Sequence, residues 1–193
     1  TVNTPNPEEH SAFEYAMKLG KKEDADLLIA TDPDADRLGA AVRMPNGEYQ
    51  VLTGNQIGAI MTQYILTAHK NAGTLKENAA IVKSIVSSEL PAAIAKSFGV
   101  TTFNVLTGFK FIAEKIQLFE DTGSNTFMFG FEESYGYLVK SFVRDKDAIQ
   151  ALVLLAEVAA FYKKQGKTLY DALQEIFAEF GYYAEKTISV TMS

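Results

Sequence analysis

The chain contains no cysteine and no tryptophan, and only two of its 193 residues are histidine. The absence of cysteine excludes disulfides, thiolate-bound zinc and a cysteine nucleophile. A chain without cysteine suits a reducing compartment, so we expect a cytoplasmic protein. The most apolar long stretch, residues 148–162, is interrupted by Gln150 and Glu157 and is too short to span a bilayer. We therefore expect no membrane segment.

Positive charge is also scarce, because 18 lysine and arginine residues face 24 aspartate and glutamate residues, for a net charge of −6. This balance argues against general binding to nucleic acid or to anionic membranes, and we expect neither as a partner. An anionic substrate then needs a local cluster of lysine and arginine. The 47% of hydrophobic residues is ordinary for a globular protein, and the length suits one domain or one domain plus part of another.

The order of predicted elements indicates an α/β protein. Apolar runs bounded by turn signals predict strands at 27–30, 38–42, 49–52, 80–86, 101–106, 126–131 and 182–192. Helical spacing and capping residues predict helices at 8–20, 53–69, 89–98, 108–119, 147–165 and 168–180, the first of them ended by Gly20. The alternation after residue 50 predicts a three-layer domain with helices on both faces of a sheet. The charge-rich segment 43–48 is the predicted domain boundary, which gives domains 1–43 and 44–193.

An acidic loop follows the first predicted strand. Residues 28–43 read LIATDPDADRLGAAVR, with Asp32, Asp34 and Asp36 at alternate positions. Three carboxylates this close repel one another unless a cation lies among them. Oxygen ligands suit Mg²⁺ or Ca²⁺ rather than zinc or copper. The loop predicts metal-dependent chemistry on a charged substrate, and an acidic surface turn is the alternative.

Two known sites with similar aspartates can be compared with this loop. An EF-hand requires Gly at its sixth position and Glu at its twelfth, where this chain has Arg37 and Arg43. A haloacid-dehalogenase-type phosphatase also places Asp-x-Asp after an apolar strand, with Asp32 as nucleophile and Asp34 as acid. That scheme leaves Asp36 and Arg37 unexplained, but it stays as an alternative.

Further polar loops follow later strands, at the sheet edge where α/β proteins bind ligands. Residues 106–110, LTGFK, open a helix whose N-terminus favours an anion, although a plain turn explains them too. Residues 130–136, GFEESYG, offer adjacent carboxylates that can accept from sugar hydroxyls, with a tight turn as the alternative. Residues 143–147, VRDKD, place two cations beside a helix start, where they can hold phosphate or simply face solvent.

These motifs together, DPDADR, TGFKF, GFEESYGY and RDKDA, resemble the α-D-phosphohexomutase superfamily, and its phosphoglucomutase branch in particular. The family's four-domain enzymes move phosphate between the 1 and 6 positions of a hexose through a phosphoserine and a bisphosphorylated sugar. The resemblance implies that residues 1–43 end the second domain. It also implies that residues 44–193 form the third domain, a three-layer mixed sheet with helices on both faces.

The resemblance also implies roles for individual residues. Asp32, Asp34 and Asp36 match the Mg²⁺ ligands, Arg37 lies near the phosphoserine, and Lys146 matches a basic residue near the proton-transfer step. The implied substrate-binding residues are Glu132, Ser134, Thr107, Gly108, Lys110 and Arg144. Among these, Glu132 and Ser134 match the residues that hold the hexose 3- and 4-hydroxyls.

The chain departs from the family pattern in what it lacks. Pro33 stands where the family often has Gly, which removes one amide donor from the metal loop. No segment resembles the Ser-His-Asn-Pro serine loop of the first domain or the Gly-Thr-Glu phosphate loop of the fourth. We therefore expect a phosphoglucomutase fragment that acts on a phosphorylated hexose only with domains 1 and 4 of the same polypeptide. Phosphomannomutase, phosphopentomutase and a stand-alone metal- or sugar-binding module remain alternatives.

Overall fold

A computed structural model describes residues 5–185 of the chain and places their strands in two sheets. The first sheet is antiparallel, in the order β1-β2-β3, and consists of β1 (Leu27–Thr31), β2 (Leu38–Arg43) and β3 (Tyr49–Val51). The second has the order β5-β4-β6-β7 and consists of β4 (Ala79–Ser84), β5 (Thr101–Val105), β6 (Thr126–Phe131) and β7 (Tyr137–Leu138). In it β5, β4 and β6 are parallel, and β7 is antiparallel to β6.

Six α-helices accompany the strands in the described part of the chain. A short 3-10 turn, His10–Phe13, leads into the first of them. The helices are α1 (Glu14–Lys22), α2 (Gly54–Asn71), α3 (Leu90–Ser97), α4 (Phe109–Thr122), α5 (Ala148–Lys163) and α6 (Leu169–Phe180). Within the described range, no helix is both long enough and apolar enough to cross a bilayer.

The second sheet separates two apolar clusters, because alternate residues of a strand point to opposite faces. Ile81 of β4 packs into a large cluster with residues of α2, α3, α5 and α6. Its neighbours Ala80 and Val82 pack on the other face, against Ile112 and other residues of α4. This arrangement confirms the predicted α/β class, with helices on both faces of a mixed sheet.

Local signals predicted several helix starts correctly. Thr53 caps α2 through a capping box: its side chain accepts from the backbone N–H of Gln56, and the Gln56 side chain accepts from the N–H of Thr53. Asp147 caps α5 by accepting from the N–H groups of Ile149 and Gln150. The helices predicted near 53–69 and 147–165 are confirmed.

Other boundaries differ from the prediction. Gly20 does not end α1, which continues to Lys22. A Cβ on Gly20 would lie 2.6 Å from Leu28 Cδ2. This glycine therefore permits close packing of α1 against β1 and does not stop the helix. The fourth strand ends at Ser84 because the next residues turn, with the N–H of Ser87 donating to the Ser84 carbonyl at 3.1 Å. Residues 85–86, predicted as strand, lie in that turn.

The end of the second sheet also differs. The short strand β7 was not predicted, and it pairs with β6 through the Gly130–Leu138 and Phe131–Tyr137 positions. The predicted terminal strand, 182–192, falls mostly outside the described residues, and 182–185 are not strand.

Backbone contacts bring the acidic loop beside the turn between β6 and β7. The Leu38 N–H donates to the Tyr135 carbonyl at 2.9 Å, and Arg37 and Gly136 form an antiparallel bridge. The N–H of Ala148, at the start of α5, donates to the Ala35 carbonyl at 3.0 Å. Motifs far apart in the sequence therefore share one corner of the fold.

Candidate functional site

Asp32 is the buried anchor of the acidic loop, with 3% of its surface exposed. Its carboxylate accepts hydrogen bonds from the backbone N–H groups of Asp36 at 3.0 Å and Arg37 at 2.9 Å, and from Arg37 Nε at 2.8 Å. Burial raises the pKa of Asp32, but these hydrogen bonds outweigh it and lower the pKa to about 2. Asp32 is therefore ionised at neutral pH.

The two carboxylate oxygens of Asp36 differ in their contacts. Its Oδ2 lies 2.6 Å from Nζ of Lys146, whereas its buried Oδ1 lies 3.7 Å from Arg37 Nε and has no hydrogen-bond partner among residues 5–185. Burial raises the pKa of Asp36, and the Lys146 ammonium opposes that rise. A buried oxygen without a partner is costly unless a ligand uses it.

The three aspartates converge as the spacing predicted. One carboxylate oxygen from each of Asp32, Asp34 and Asp36 lies within 4.8 Å of the other two. Asp34 is exposed, so the group opens to solvent on its side. This donor set, together with the Asp36 oxygen that accepts no hydrogen bond among residues 5–185, fits a hard divalent cation.

Arg37 forms ion pairs with carboxylates of the protein, one of them within the acidic loop. Besides Asp32, its guanidinium contacts Glu8, with Nη1 2.9 Å from Oε1. Glu8 was not predicted as part of the site, because it lies 29 positions away in the sequence and no spacing pattern connects the two residues.

Glu132 lies at the turn that follows β6, with 5% of its surface exposed. Its Oε1 accepts a hydrogen bond of 2.6 Å from the backbone N–H of Gly108, at the start of α4. Burial raises the pKa of Glu132, although the Gly108 N–H and the charge of Lys146 lower it. The helix N-terminus at Gly108, which favours an anion, therefore binds a carboxylate of the protein, because the β6–β7 turn places Glu132 beside it.

The neighbouring acid has a different environment. Glu133 Oε2 accepts from the hydroxyls of Ser84 at 2.7 Å and Ser87 at 3.2 Å, in the loop between β4 and α3. Ser134 is half-buried beside it. Sequence reasoning missed both serines; the polar pair 87–88 after a buried strand was the available signal. The two adjacent glutamates are thus distinguished, because Glu133 is fixed to the scaffold by side chains.

Lys146 connects the acidic loop with the β6–β7 turn. Its stem crosses Gly136, where a Cβ would lie 2.7 Å from Lys146 Cδ, and its ammonium meets Asp36. Burial lowers the pKa of Lys146, but Asp36, Asp145 and Glu132 outweigh burial and raise it. The protonated amine of Lys146 therefore lies against the carboxylate cluster and is influenced by the charge of Glu132.

The remaining predicted residues lie outside this corner or at its edge. Thr107 is exposed just before Gly108, and Lys110 is exposed with Nζ 4.9 Å from the Phe111 ring centroid. Arg144 pairs with Glu120 and donates to the Ser141 carbonyl, whereas Lys146 pairs with Asp36, so the two cations of residues 143–147 contact different carboxylates. Lys110 and Arg144 instead line a shallow cavity of about 400 Å³ beside α4.

Comparisons with known proteins place this geometry in a family. Residues 53–180 match the model of phosphoglucomutase/phosphomannomutase alpha/beta/alpha domain III, and residues 1–46 match that of domain II. The chain belongs to the phosphoglucomutase/phosphomannomutase family. A phosphoglucomutase of Staphylococcus aureus strain USA300 is 44% identical over 192 residues, which cover 100% of this chain and 34% of that protein. The chain thus spans about a third of the length of the curated relatives it matches.

Solved structures agree on the fold of this family member. A putative phosphomannomutase from Thermus thermophilus superposes with a TM-score of 0.68 at 24% identity, over 92% of this chain and 36% of that one. An N-acetylphosphoglucosamine mutase from Aspergillus fumigatus, solved with GlcNAc-6P and magnesium, gives 0.56 at 15% identity, over 85% and 39%. At identities of 24% and 15%, these likenesses show a shared fold and nothing beyond it.

Proposed function

We propose that this chain supplies two loops of a phosphoglucomutase: the metal loop, residues 32–37, and the sugar loop, residues 132–136 of the β6–β7 turn. The enzyme interconverts glucose 1-phosphate and glucose 6-phosphate through a phosphoserine and glucose 1,6-bisphosphate. The observation that carries the proposal is the position of Lys146, against Asp36 and within the field of Glu132. Lys146 thereby connects the aspartates that are suited to a cation with Glu132, the carboxylate that is suited to sugar hydroxyls. The identity to the staphylococcal phosphoglucomutase supports the choice of reaction.

Each group has a separate task in this proposal. Asp32, Asp34 and Asp36 hold Mg²⁺, which when bound polarises a phosphoryl oxygen as a Lewis acid. Glu132 and Ser134 bind sugar hydroxyls and so orient the hexose. Lys146 carries a proton at Nζ beside the metal loop, where it can be given to a sugar oxygen.

The remaining predicted roles are kept as part of the proposal. Thr107, Gly108, Lys110 and Arg144 border the sugar, and Arg37 lies near the phosphoserine. The serine and the second phosphate-binding loop come from other parts of the same polypeptide, in a cytoplasmic enzyme divided here near residue 43. The strand β3 follows residue 43 in the sequence but pairs with β2, so the first sheet extends past that division.

The alternatives predict different behaviour. In the dehalogenase-type scheme Asp32 attacks phosphate, but its carboxylate accepts from the Asp36 N–H and from Arg37, which weakens a nucleophile. A phosphomannomutase or phosphopentomutase would use the same groups with another sugar. No contact within residues 5–185 favours either sugar over glucose.

A coupled assay with glucose-6-phosphate dehydrogenase tests the proposed reaction. The full-length enzyme is expected to turn over glucose 1-phosphate with Mg²⁺ and glucose 1,6-bisphosphate, and to stop when EDTA removes the metal. The present chain alone is expected to be inactive, because positioned sugar and metal still require the serine. Activity of the purified chain that Asp34→Ala abolishes would overturn the proposal.

Glu132→Gln in the full-length enzyme is expected to lower kcat/KM by roughly 10- to 100-fold, because an amide replaces a charge-assisted acceptor of the sugar hydroxyl. Glu133→Gln is the matched control and should lose much less, since Glu133 faces Ser84 and Ser87 rather than the sugar and glutamine keeps an acceptor oxygen for both hydroxyls. Steady-state kinetics and thermal melting of both variants decide the assignment. The reverse order of losses, with melting unchanged, would assign the sugar to Glu133.

A further inference from the structure

A buried polar network lies behind the sugar loop and has no role in the proposed chemistry. Lys83 on β4 is fully buried, with 0% of its surface exposed. Its Nζ lies 2.8 Å from Glu89 Oε1 and donates to the carbonyl oxygens of Ser87 at 3.0 Å and Ser84 at 3.4 Å. A buried ammonium is costly unless such partners surround it.

The effect of these contacts is to fix one loop. Residues 84–89 connect β4 to α3, and Lys83 ties together both ends of the turn that they form. The N–H of Ser88 also donates to Asn55 Oδ1 at 3.0 Å, at the start of α2. The loop therefore has little freedom to move relative to the sheet.

This fixed loop presents two hydroxyls to Glu133. Ser84 is fully buried and Ser87 nearly so, and their oxygens lie 2.7 Å apart. Both contact Glu133 Oε2. Three close oxygen–oxygen contacts therefore join the two hydroxyls to each other and to one carboxylate oxygen of Glu133.

We propose that Ser84 and Ser87, fixed by Lys83, are positioning residues that set the place of the sugar loop through Glu133. The backbone then places Glu132 and Ser134 on either side of Glu133 at the sugar. This inference rests on the proposed function. It assigns the positioning of Glu132 and Ser134, which bind the sugar hydroxyls, to a loop that does not itself touch the sugar.

The test compares glucose 1-phosphate with its 3-deoxy analogue in the full-length enzyme. In Ser84→Ala/Ser87→Ala, kcat/KM for glucose 1-phosphate is expected to fall roughly tenfold, because a misplaced group loses its interaction in the transition state. The value for the deoxy analogue should fall much less, since it lacks the hydroxyl concerned. The preference for the 3-hydroxyl would therefore shrink. Equal falls for both substrates would indicate a merely structural role and overturn the proposal.

Two further variants keep the test decisive. Ser97→Ala removes a hydroxyl that donates to the Ile94 carbonyl within the α3 region, and it should leave both values unchanged. If the double variant fails to fold, Glu133→Gln, which keeps the side-chain shape, is expected to give a smaller loss of the same preference. An unchanged preference in that variant would also count against the positioning role.

Hydrogen exchange on the present chain separates this inference from the proposed reaction. Amides 132–136 should exchange faster in the double variant than in the unaltered chain, while β5 keeps its protection. Faster exchange without any mutase activity in the full-length enzyme would reject the reaction and retain the positioning role. Unchanged exchange at 132–136 would reject the positioning role.

Discussion

Asp36→Asn in the full-length enzyme is expected to lower turnover by about 100-fold or more, since loss of even an outer partner of a metal site typically costs 10- to 100-fold. Asparagine keeps the volume but removes the charge that pairs with Lys146 at 2.6 Å. It also alters the carboxylate whose buried Oδ1 has no hydrogen-bond partner within the described range. Titration of activity with Mg²⁺ should show a higher metal requirement as well as a lower maximum.

Asp145→Asn is the matched control for this substitution. Asp145 also lies near Lys146, with Oδ1 3.7 Å from Nζ, but its side chain is 72% exposed. An exposed pair of this kind contributes little, so activity should stay within about threefold of the unaltered enzyme. If Asp36→Asn behaved like this control, with the same Mg²⁺ requirement, Asp36 would not be a metal ligand.

The acidic loop could be predicted from sequence because its signal is local. Asp32, Asp34 and Asp36 lie on one short segment after an apolar strand, so their convergence needs no distant contact. The capping box of Thr53 and Gln56 is local in the same sense. Such patterns act within one turn or one strand and can be recognised without the rest of the fold.

What could not be predicted depends on contacts between distant segments. Glu133 meets Ser84 from 49 positions away, and Glu132 meets Gly108 from 24. Sequence spacing identified GFEESYG as unusual but could not separate the two glutamates, because their difference arises from which loop each side chain reaches. Arg144 is a further example, because its pairing with Glu120, 24 positions away, could not be predicted from sequence spacing.

Gly54→Ala is expected to displace the sugar loop, because a Cβ at this position would lie 2.0 Å from the Glu133 carbonyl oxygen. The same Cβ would lie 3.0 Å from the Tyr135 backbone nitrogen, so both contacts are with backbone and cannot be relieved by a rotamer change. Overpacking of this kind typically costs about 1–3 kcal/mol of unfolding free energy. In the full-length enzyme, kcat/KM should fall by about 100-fold or more, since every group on the loop moves together.

Gly73→Ala, beyond the other end of α2, separates steric displacement from backbone strain. Gly73 has a φ of +66°, but a Cβ there meets nothing within 4 Å. Its substitution should cost about 1 kcal/mol through the left-handed conformation and leave kcat/KM unchanged. Chemical denaturation of the chain and kinetics of the full-length enzyme measure the two effects. Full activity in Gly54→Ala would show that the β6–β7 turn can shift away from α2 without moving Glu132, and would contradict a sugar loop held by its backbone contact with that helix.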